Sequence, residues 1–197
     1  MKRILTALAL TFATALPGWA QPIPLSVLSE YLEGLDRVQA EFTQISGDGG
    51  VSTGTLYIRR PGRARFEYDG DGGLVIAGGG QVAIFDPVSN LAPEQFPLKR
   101  TPLNLILARD VDLGGAAQVV RHTGDSAETA VVAQDPEAPE LGSLRLVFTG
   151  DPVELRQWVM TGEAGEETTV ILGPLQRPDS VPAILFSIPQ EIQRRQN

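Results

Sequence analysis

The chain has 197 residues, a formal net charge of −8 and no cysteine. Such an acidic chain excludes the usual modes of nucleic-acid binding, which need a basic surface to neutralise phosphates. Without cysteine, the fold cannot depend on disulfide bonds or on thiolate metal ligands. A chain of this length can bury a sufficient core without them.

The N-terminus has the composition of a secretory signal peptide. Two basic residues precede an apolar run of about 13 residues, and the small residues Gly18 and Ala20 follow it. We expect cleavage of residues 1–20, which leaves 21–197 as a single exported domain. The alternative is an anchor that stays attached, and it is disfavoured because the apolar run is short for a bilayer span.

An amphipathic helix is predicted to lead directly into the first strand. Ser26 is a suitable N-cap, an apolar stripe of helical period follows it, and Gly34 marks the predicted end. The period then changes to two, because Val38, Ala40 and the aromatic residue at position 42 alternate with polar residues. This pattern indicates a strand with one apolar face.

The stretch "GTLYIRRPGRARFEYDG" (54–70) reads as a hairpin that turns at Pro-Gly. A two-residue turn would pair apolar with charged residues. A three-residue loop keeps the faces matched, and we expect it to pair Ile58 with Phe66 and Leu56 with Tyr68.

Four arginines lie in this hairpin. The alternation of the two strands predicts that Arg59, Arg63 and Arg65 form a solvated, charged outer face. Arg60 is the exception, since it continues the apolar face of its strand.

Short strands are predicted along most of the remaining chain. They are separated by Gly, Asp and Pro turns, which is typical of an antiparallel meander. A short helix in "TPLNLILARD" (101–110), with Thr101 as its cap, interrupts them. A sheet of about ten strands must curl, and its apolar inner face needs a cover. The strands are predicted at residues 74–78, 81–86, 117–122, 127–133, 143–149, 153–161, 166–172 and 183–188.

The sequence offers little catalytic or metal-binding chemistry. His122 is the sole histidine, and neither a G-x-S-x-G elbow nor an H-E-x-x-H motif is present. The segment "DGDGG" (69–73) lacks the later ligands of a calcium loop and is interpreted as a turn. Glu94, Asp110 and Asp112 have no fixed spacing and are expected to be solvated. We therefore expect neither an enzyme nor a metal site.

Four stretches carry a resemblance to a known family. They are "LDRVQAEFTQ" (35–44), "GTLYIRRPGRARFEY" (54–68), "LVIAGGGQVAIFDP" (74–87) and "TPLNLILARD" (101–110). In order and residue type they resemble the helix-to-strand junction, the Arg-Pro hairpin, the next hairpin and the lid helix of LolA. This is the family of periplasmic carriers of outer-membrane lipoproteins. The aromatic strand has Phe66 where a tryptophan is common.

The resemblance implies a mainly β fold, an incomplete antiparallel β-barrel covered by short α-helices that act as a lid. It implies a periplasmic carrier that receives acylated lipoproteins from an inner-membrane ABC transporter and delivers them to the outer membrane. Whether an outer-membrane receptor takes part is left open. We expect a monomer that needs no cofactor and binds no nucleic acid. The alternative is a lipid- or lipoprotein-sensing envelope module of the same fold, while a lipid hydrolase is disfavoured because a nucleophile constellation is missing.

The resemblance also assigns residues to roles. It makes Arg60, in the Arg-Pro step, a latch whose guanidinium bonds the free carbonyls at the ends of the lid helices. From the sequence alone a packed core is the favoured interpretation of the apolar residues, and only the resemblance makes them a cavity. The acyl-chain cavity is expected among Phe42, Leu56, Ile58, Phe66, Tyr68, Val75 and Phe85, and the lid among Leu28, Leu32, Leu103, Ile106 and Leu107.

Overall fold

The computed structural model describes residues 21–70, 72–89, 91–114 and 118–196. The predicted signal peptide lies outside these residues. None of the helices in the described ranges is long and apolar enough to cross a membrane. The helices are α1 (Leu25–Glu33), α2 (Asn104–Leu107) and α3 (Ile188–Gln196). The strands are β1 (Arg37–Ile45), β2 (Val51–Arg59), β3 (Ala64–Tyr68), β4 (Leu74–Gly78), β5 (Gln81–Phe85), β6 (Glu94–Pro97), β7 (Val119–Gly124), β8 (Glu128–Gln134), β9 (Ser143–Thr149), β10 (Glu154–Thr161) and β11 (Glu167–Leu172).

These strands form one antiparallel sheet in the order β6-β5-β4-β3-β2-β1-β11-β10-β9-β8-β7. From β1 to β6 each strand pairs with the one before it, so that β6 forms one edge of the sheet. The chain then crosses to the opposite edge at β7, and the strands from β7 to β11 return to the centre, where β11 pairs with β1. Within the described residues β6 and β7 are unpaired edges, so the sheet does not close into a barrel. The predicted class, mainly antiparallel β with short helices, is confirmed.

The sheet curls strongly. Phe66 on β3 and Trp158 on β10 are four strands apart, which on a flat sheet would separate them by about 19 Å. Their ring centroids are 6.2 Å apart. The concave face of the sheet therefore folds over on itself, and this inner face holds the main apolar cluster.

α1 and the segment around α2 cover the inner face. Their apolar side chains belong to the same cluster as the inward residues of β1 to β3 and of β8 to β11. Ser29 on α1 links this helix to the segment after α2, because its Oγ accepts a hydrogen bond of 2.9 Å from the Leu113 amide. Gly34 caps α1 as predicted, but Ser26 lies inside the helix and Pro24 precedes it.

The β2–β3 hairpin has the predicted three-residue loop but a different register. Ile58 pairs with Ala64 and Leu56 with Phe66, two residues from the expected pairing. The Arg59 amide bonds the Arg63 carbonyl, so the loop begins at Arg60. The shift is even, so the predicted facings survive although the register was wrong.

Most other predicted strands are confirmed to within two residues, and 74–78 and 143–149 match in both bounds. Residue 117, the predicted start of one strand, lies outside the described part. Two predictions are wrong. Residues 183–188 are not a strand, since a 3₁₀ turn at Ala183–Phe186 leads into α3. Thr101 does not cap α2, because its hydroxyl donates to the Leu98 carbonyl at 2.8 Å. β6 was not predicted.

The C-terminal segment covers part of the outer face of the sheet. Ile188, with Ile192 beside it, packs on the outward side chains of β4 and β5. Arg65 was expected to be solvated, but this segment buries it to 7% exposure. Its Nη1 donates to the Leu185 carbonyl at 3.0 Å, and its Nη2 lies 3.6 Å from a Glu191 carboxylate oxygen.

Glu191 is the central carboxylate of this cover. It is 6% exposed and accepts hydrogen bonds of 2.5 Å from Arg194 and 2.9 Å from Arg195. Burial raises the pKa of Glu191, but the hydrogen bonds of Arg194 and Arg195 and the charge of Arg65 outweigh it. The pKa therefore lies below its ordinary value of 4.5.

We predict that Glu191→Gln lowers the free energy of unfolding by about 1–3 kcal/mol near neutral pH, because a charge-assisted network is lost. A depressed folded-state pKa stabilises above the unfolded pKa, and this contribution is lost as pH falls through the folded value. The gap between wild type and variant should therefore be full above the ordinary value of 4.5 and shrink as the pH falls below it. Urea unfolding at each pH measures it.

Glu154→Gln is the matched control, because that carboxylate pairs with Arg156 on the exposed surface. It should change stability by less than about 1 kcal/mol. A gap for Glu191→Gln that stayed constant over the whole pH range would contradict the prediction.

Candidate functional site

An apolar cavity of about 270 Å³ lies on the inner face, beside the start of α2 and between the two arms of the curled sheet. Two of its lining residues, Ile84 and Phe96, are 40% and 38% exposed. A neighbouring cavity of about 520 Å³ lies beside residues 86–89 and 91–93 and shares part of its wall. The apolar wall of the first cavity consists of Phe66, Tyr68, Val75, Val82, Ile84, Phe96, Leu103, Trp158, Met160 and Val170.

Five of the predicted cavity residues lie on the inner face, and they differ in whether they line the cavity itself. Phe66, Tyr68 and Val75 line the cavity directly. Leu56 and Ile58 do not line it; they are buried deeper in the same apolar cluster. The structure therefore brings these five together on the inner face, although only three of them face empty space.

Phe42 supports the aromatic wall from behind. Its ring is edge-on to Phe66 at 5.5 Å and to Tyr68 at 5.3 Å between centroids. Gly54 pairs with Phe42 across β1 and β2, and a Cβ there would lie 2.9 Å from the Phe42 ring and 2.0 Å from the Glu67 carbonyl oxygen. Only glycine leaves space for the ring at this position.

Phe85 departs from the predicted facing. It belongs to the outer cluster with Leu74 and Ile188, and the Arg195 guanidinium lies 5.0 Å from its ring centroid. It does not line the inner cavity, but it lines the neighbouring one and a further cavity beside Ile192 and Arg195. Both faces of β4 and β5 are apolar because α3 covers one of them, so alternation could not show which way Phe85 faces.

All the predicted lid residues pack over the inner face. They are buried, with exposures between 0% and 6%, and belong to one cluster with the wall. Leu103 contacts the cavity itself. The group consists of Leu28 and Leu32 on α1, and Leu103, Ile106 and Leu107 at α2.

Arg60 connects the two parts of this cover. Its Nη1 donates to the Leu32 carbonyl near the end of α1. Its Nη2 donates to the Ala108 carbonyl after α2 at 2.7 Å and to the Arg109 carbonyl at 3.3 Å, and its Nε reaches Ala108 at 3.3 Å. One guanidinium therefore satisfies carbonyls that the ends of two helices leave free.

The backbone of the same loop strengthens this connection. The Arg60 amide donates to the Asp36 carbonyl at 2.9 Å, and the Gly62 amide donates to the Leu107 carbonyl at 2.7 Å. Gly62 has φ = 70°, a conformation that glycine adopts without strain. The main chain of the loop is therefore bonded to Asp36, which follows α1, and to Leu107 of α2, while the Arg60 side chain bonds the ends of both helices.

The Arg60 side chain is only 8% exposed. Burial lowers the pKa of its guanidinium, and the charges of Glu33, Asp36 and Asp110 oppose that shift. Arginine stays charged in proteins, so a buried cation held by neutral carbonyls and nearby carboxylates closes the cover.

Trp158 is a wall residue that the sequence analysis missed. It is fully buried, and its indole N–H has no hydrogen-bond partner among the described residues. β10 carries a bulge between Leu155 and Gln157, so Leu155 and Trp158 both face inward although they are three residues apart. Strict alternation would place them on opposite faces, so a pattern of period two did not predict that Trp158 faces inward.

His122 makes a contact that holds the fold together. His122 Nε2 lies 3.0 Å from the Ile23 carbonyl oxygen and holds the N-terminal segment against β7. In the described part of the chain, no three His, Asp or Glu side chains are grouped as metal ligands.

The family model of the outer membrane lipoprotein carrier protein LolA matches residues 33–189. The chain belongs to the LolA family. Its members are carriers of outer-membrane lipoproteins rather than enzymes. No curated protein matches the chain closely enough to add a more specific function.

Three solved structures are similar to this chain at low identity, each with a TM-score below 0.5. A LolA superfamily protein from Nitrosomonas europaea is 11% identical, with a TM-score of 0.45 over 84% of this chain and 98% of that one. An uncharacterised conserved protein from Thermus thermophilus is 14% identical, with a TM-score of 0.47 over 81% and 90%. A DUF1329 family protein from Desulfovibrio piger is 9% identical, with a TM-score of 0.46 over 83% and 94%.

We predict that Gly54→Ala destabilises this LolA-family domain by about 1–3 kcal/mol, because the new methyl group overlaps the Glu67 carbonyl and the Phe42 ring. Ser52→Ala, at an exposed position of β2, is the control and should stay within about 0.5 kcal/mol of wild type. Urea unfolding compares the two. Equal stability of both variants would show that the strand absorbs the methyl group without cost.

Proposed function

We propose that this chain is a periplasmic carrier that takes acylated lipoproteins from the inner membrane and delivers them to the outer membrane. The acyl chains occupy the inner cavity, and α1 with the α2 segment is a lid over it. The observation that carries the proposal is the position of Arg60, whose guanidinium bonds both parts of the lid at once. Membership of the LolA family supports it.

The closed cavity is small for this cargo. Its volume of about 270 Å³ is below the usual range of about 300–1,000 Å³ for a single drug-sized ligand, and the neighbouring cavity, at about 520 Å³, lies in the middle of that range. Several acyl chains need more space than that, so binding requires the lid to move away from the sheet. The bonds of Arg60 to Leu32 and Ala108 are then broken.

Breaking these bonds limits the affinity. Each methylene transferred from water to an apolar site contributes about 0.8 kcal/mol, so long acyl chains alone would bind almost irreversibly. Hydrogen bonds from a charged donor contribute about 1.5–3 kcal/mol each, and opening the lid loses them. The closed lid thus competes with the cargo, which allows release to an acceptor.

The remaining assignments follow from the same role. Export after removal of residues 1–20 places the chain in the periplasm, and the partner at loading is an inner-membrane lipoprotein-releasing ABC transporter. Residues 21–197 act as a single domain and as a monomer. A lipoprotein-sensing module would share the cavity, but it would not transfer cargo between membranes.

The first test is a release assay with spheroplasts that hold a labelled acylated lipoprotein. We predict that the exported chain with ATP brings the lipoprotein into the soluble fraction as a one-to-one complex. The non-acylated form of the same lipoprotein is the control and should not be bound. A chain that binds a small apolar probe but leaves the lipoprotein in the membrane would support the sensing module instead.

The second test changes the latch. We predict that Arg60→Leu takes up lipoprotein but transfers it to acceptor membranes at least about tenfold more slowly, because a loss of about 1.4 kcal/mol from the closed state changes the equilibrium tenfold. Transfer from preloaded complexes to outer-membrane vesicles measures it.

Arg63→Leu is the matched control in the same hairpin. Among the described residues, its guanidinium donates to the Arg59 carbonyl of its own hairpin at 3.2 Å and has no hydrogen bond to the lid. It should transfer cargo at the wild-type rate. Equal transfer rates for wild type and Arg60→Leu would refute the latch without refuting the carrier.

A further inference from the structure

In the part of the chain that the structure describes, the wall of the inner cavity includes a buried donor without a partner. Trp158 is fully buried, and its Nε1–H finds no acceptor among the described residues. A buried donor without a partner is costly, and most such groups in folded proteins are paired. Trp158 lies in the wall of the cavity, where a ligand would meet it.

Two hydroxyl groups of the same wall have partners. The Tyr68 hydroxyl donates to the Gln44 side-chain oxygen at 2.7 Å, and the Thr101 hydroxyl donates to the Leu98 carbonyl at 2.8 Å. Burial raises the pKa of Tyr68, so the hydroxyl stays protonated and keeps this bond. The Trp158 N–H differs from these two hydroxyls, since it is buried and has no acceptor among the described residues.

The position of Trp158 is fixed on several sides. It pairs with Leu146 on β9 and with Val170 on β11, and both neighbours are buried. The Phe66 ring stands edge-on to it, at an interplanar angle of 88°. The bulge after Leu155 turns it inward. A donor held this way keeps one direction, so it can select an acceptor by position.

We propose that the Trp158 N–H donates a hydrogen bond to the carbonyl of an acyl group in the cavity. This inference rests on the proposed function and names the part of the lipid that the cavity recognises. An acyl chain is apolar except at its ester or amide linkage, whose carbonyl loses its water when it enters. Trp158 replaces that lost bond, and hydrocarbon surrounds the rest of the chain.

The bond gives the cargo a fixed depth. An apolar wall alone lets a chain slide, because dispersion and the hydrophobic effect are non-directional. A single donor holds the carbonyl at one level, so the chain beyond it occupies a set length of cavity. One N–H serves one carbonyl, and any further acyl chains of the same lipid are held by apolar contact alone.

The experiment uses two lipids that differ only in the carbonyl. The probes are 1-dodecanoylglycerol, an ester, and 1-O-dodecylglycerol, its ether, each below its micellar concentration. We expect the full chain to bind the ester about three- to tenfold more tightly, the effect of one neutral hydrogen bond. N-dodecanoylethanolamine in a third arm shows whether an amide carbonyl serves equally. Titration calorimetry measures the affinities.

Trp158→Phe removes the N–H and keeps an aromatic ring. We expect the ratio of ester to ether affinity to fall to about one, whatever the overall affinity, since general packing losses affect both probes alike. Val159→Ala, at the next position of β10, is the control and should keep the wild-type ratio.

A second readout does not depend on the variant's packing. In a ¹⁵N-labelled chain, the indole N–H signal that is missing in Trp158→Phe belongs to Trp158. We expect this signal to move downfield with the ester and to stay near its free position with the ether. Equal ester and ether affinities with an unmoved signal would overturn the inference and leave the carrier intact. Failure of all three probes to bind would contradict the cavity, and with it the proposed function.

Discussion

One buried guanidinium bonds both helical parts of the inner cover. Arg60 is 8% exposed and lies where the ends of α1 and α2 approach the β2–β3 loop. Helix ends leave carbonyls that need donors, and arginine offers five N–H groups and no acceptor. A lysine could not reach Leu32, Ala108 and Arg109 together, because its three donors radiate from one atom. The same side chain therefore bonds both parts of the inner cover, and the proposed opening of the lid breaks its bonds to each.

This constraint explains why the inner face can be so apolar. A half-open sheet lined with aromatic and aliphatic side chains would expose a large patch to water, and such patches promote aggregation. The four leucines and Ile106 of the proposed lid pack on this face, and cavities of about 270 Å³ and about 520 Å³ remain. In the proposed function cargo and lid compete for this surface, and hydrogen bonds set the balance because apolar contact is available to both.

The sequence predicted the inner face well, and it failed where something other than alternation decides. Phe66 and Tyr68 were placed correctly because the shift of the hairpin register is even. Phe85 was misplaced, since α3 makes both faces of its strand apolar. Trp158 was missed, because a bulge changes the parity along β10. Residues 183–188 have strand-like composition, but their apolar side chains serve a turn and a helix that pack on the outer face.

The outer cover and the inner lid of the sheet differ in the chemistry that holds them, and this difference suits different tasks. The outer cover, α3, is fixed by a carboxylate, Glu191, that contacts three arginines, so moving it would leave buried charges of both signs unpaired. The inner lid is held mainly by a cation on neutral carbonyls, which water can solvate once the lid opens, and the carboxylates of Glu33, Asp36 and Asp110 add a longer-range attraction. Opening on the inner side would therefore cost hydrogen bonds and this weaker attraction, while opening on the outer side would also break direct ion pairs. In the proposed function the inner cover is accordingly the one that opens, and the outer cover stays in place.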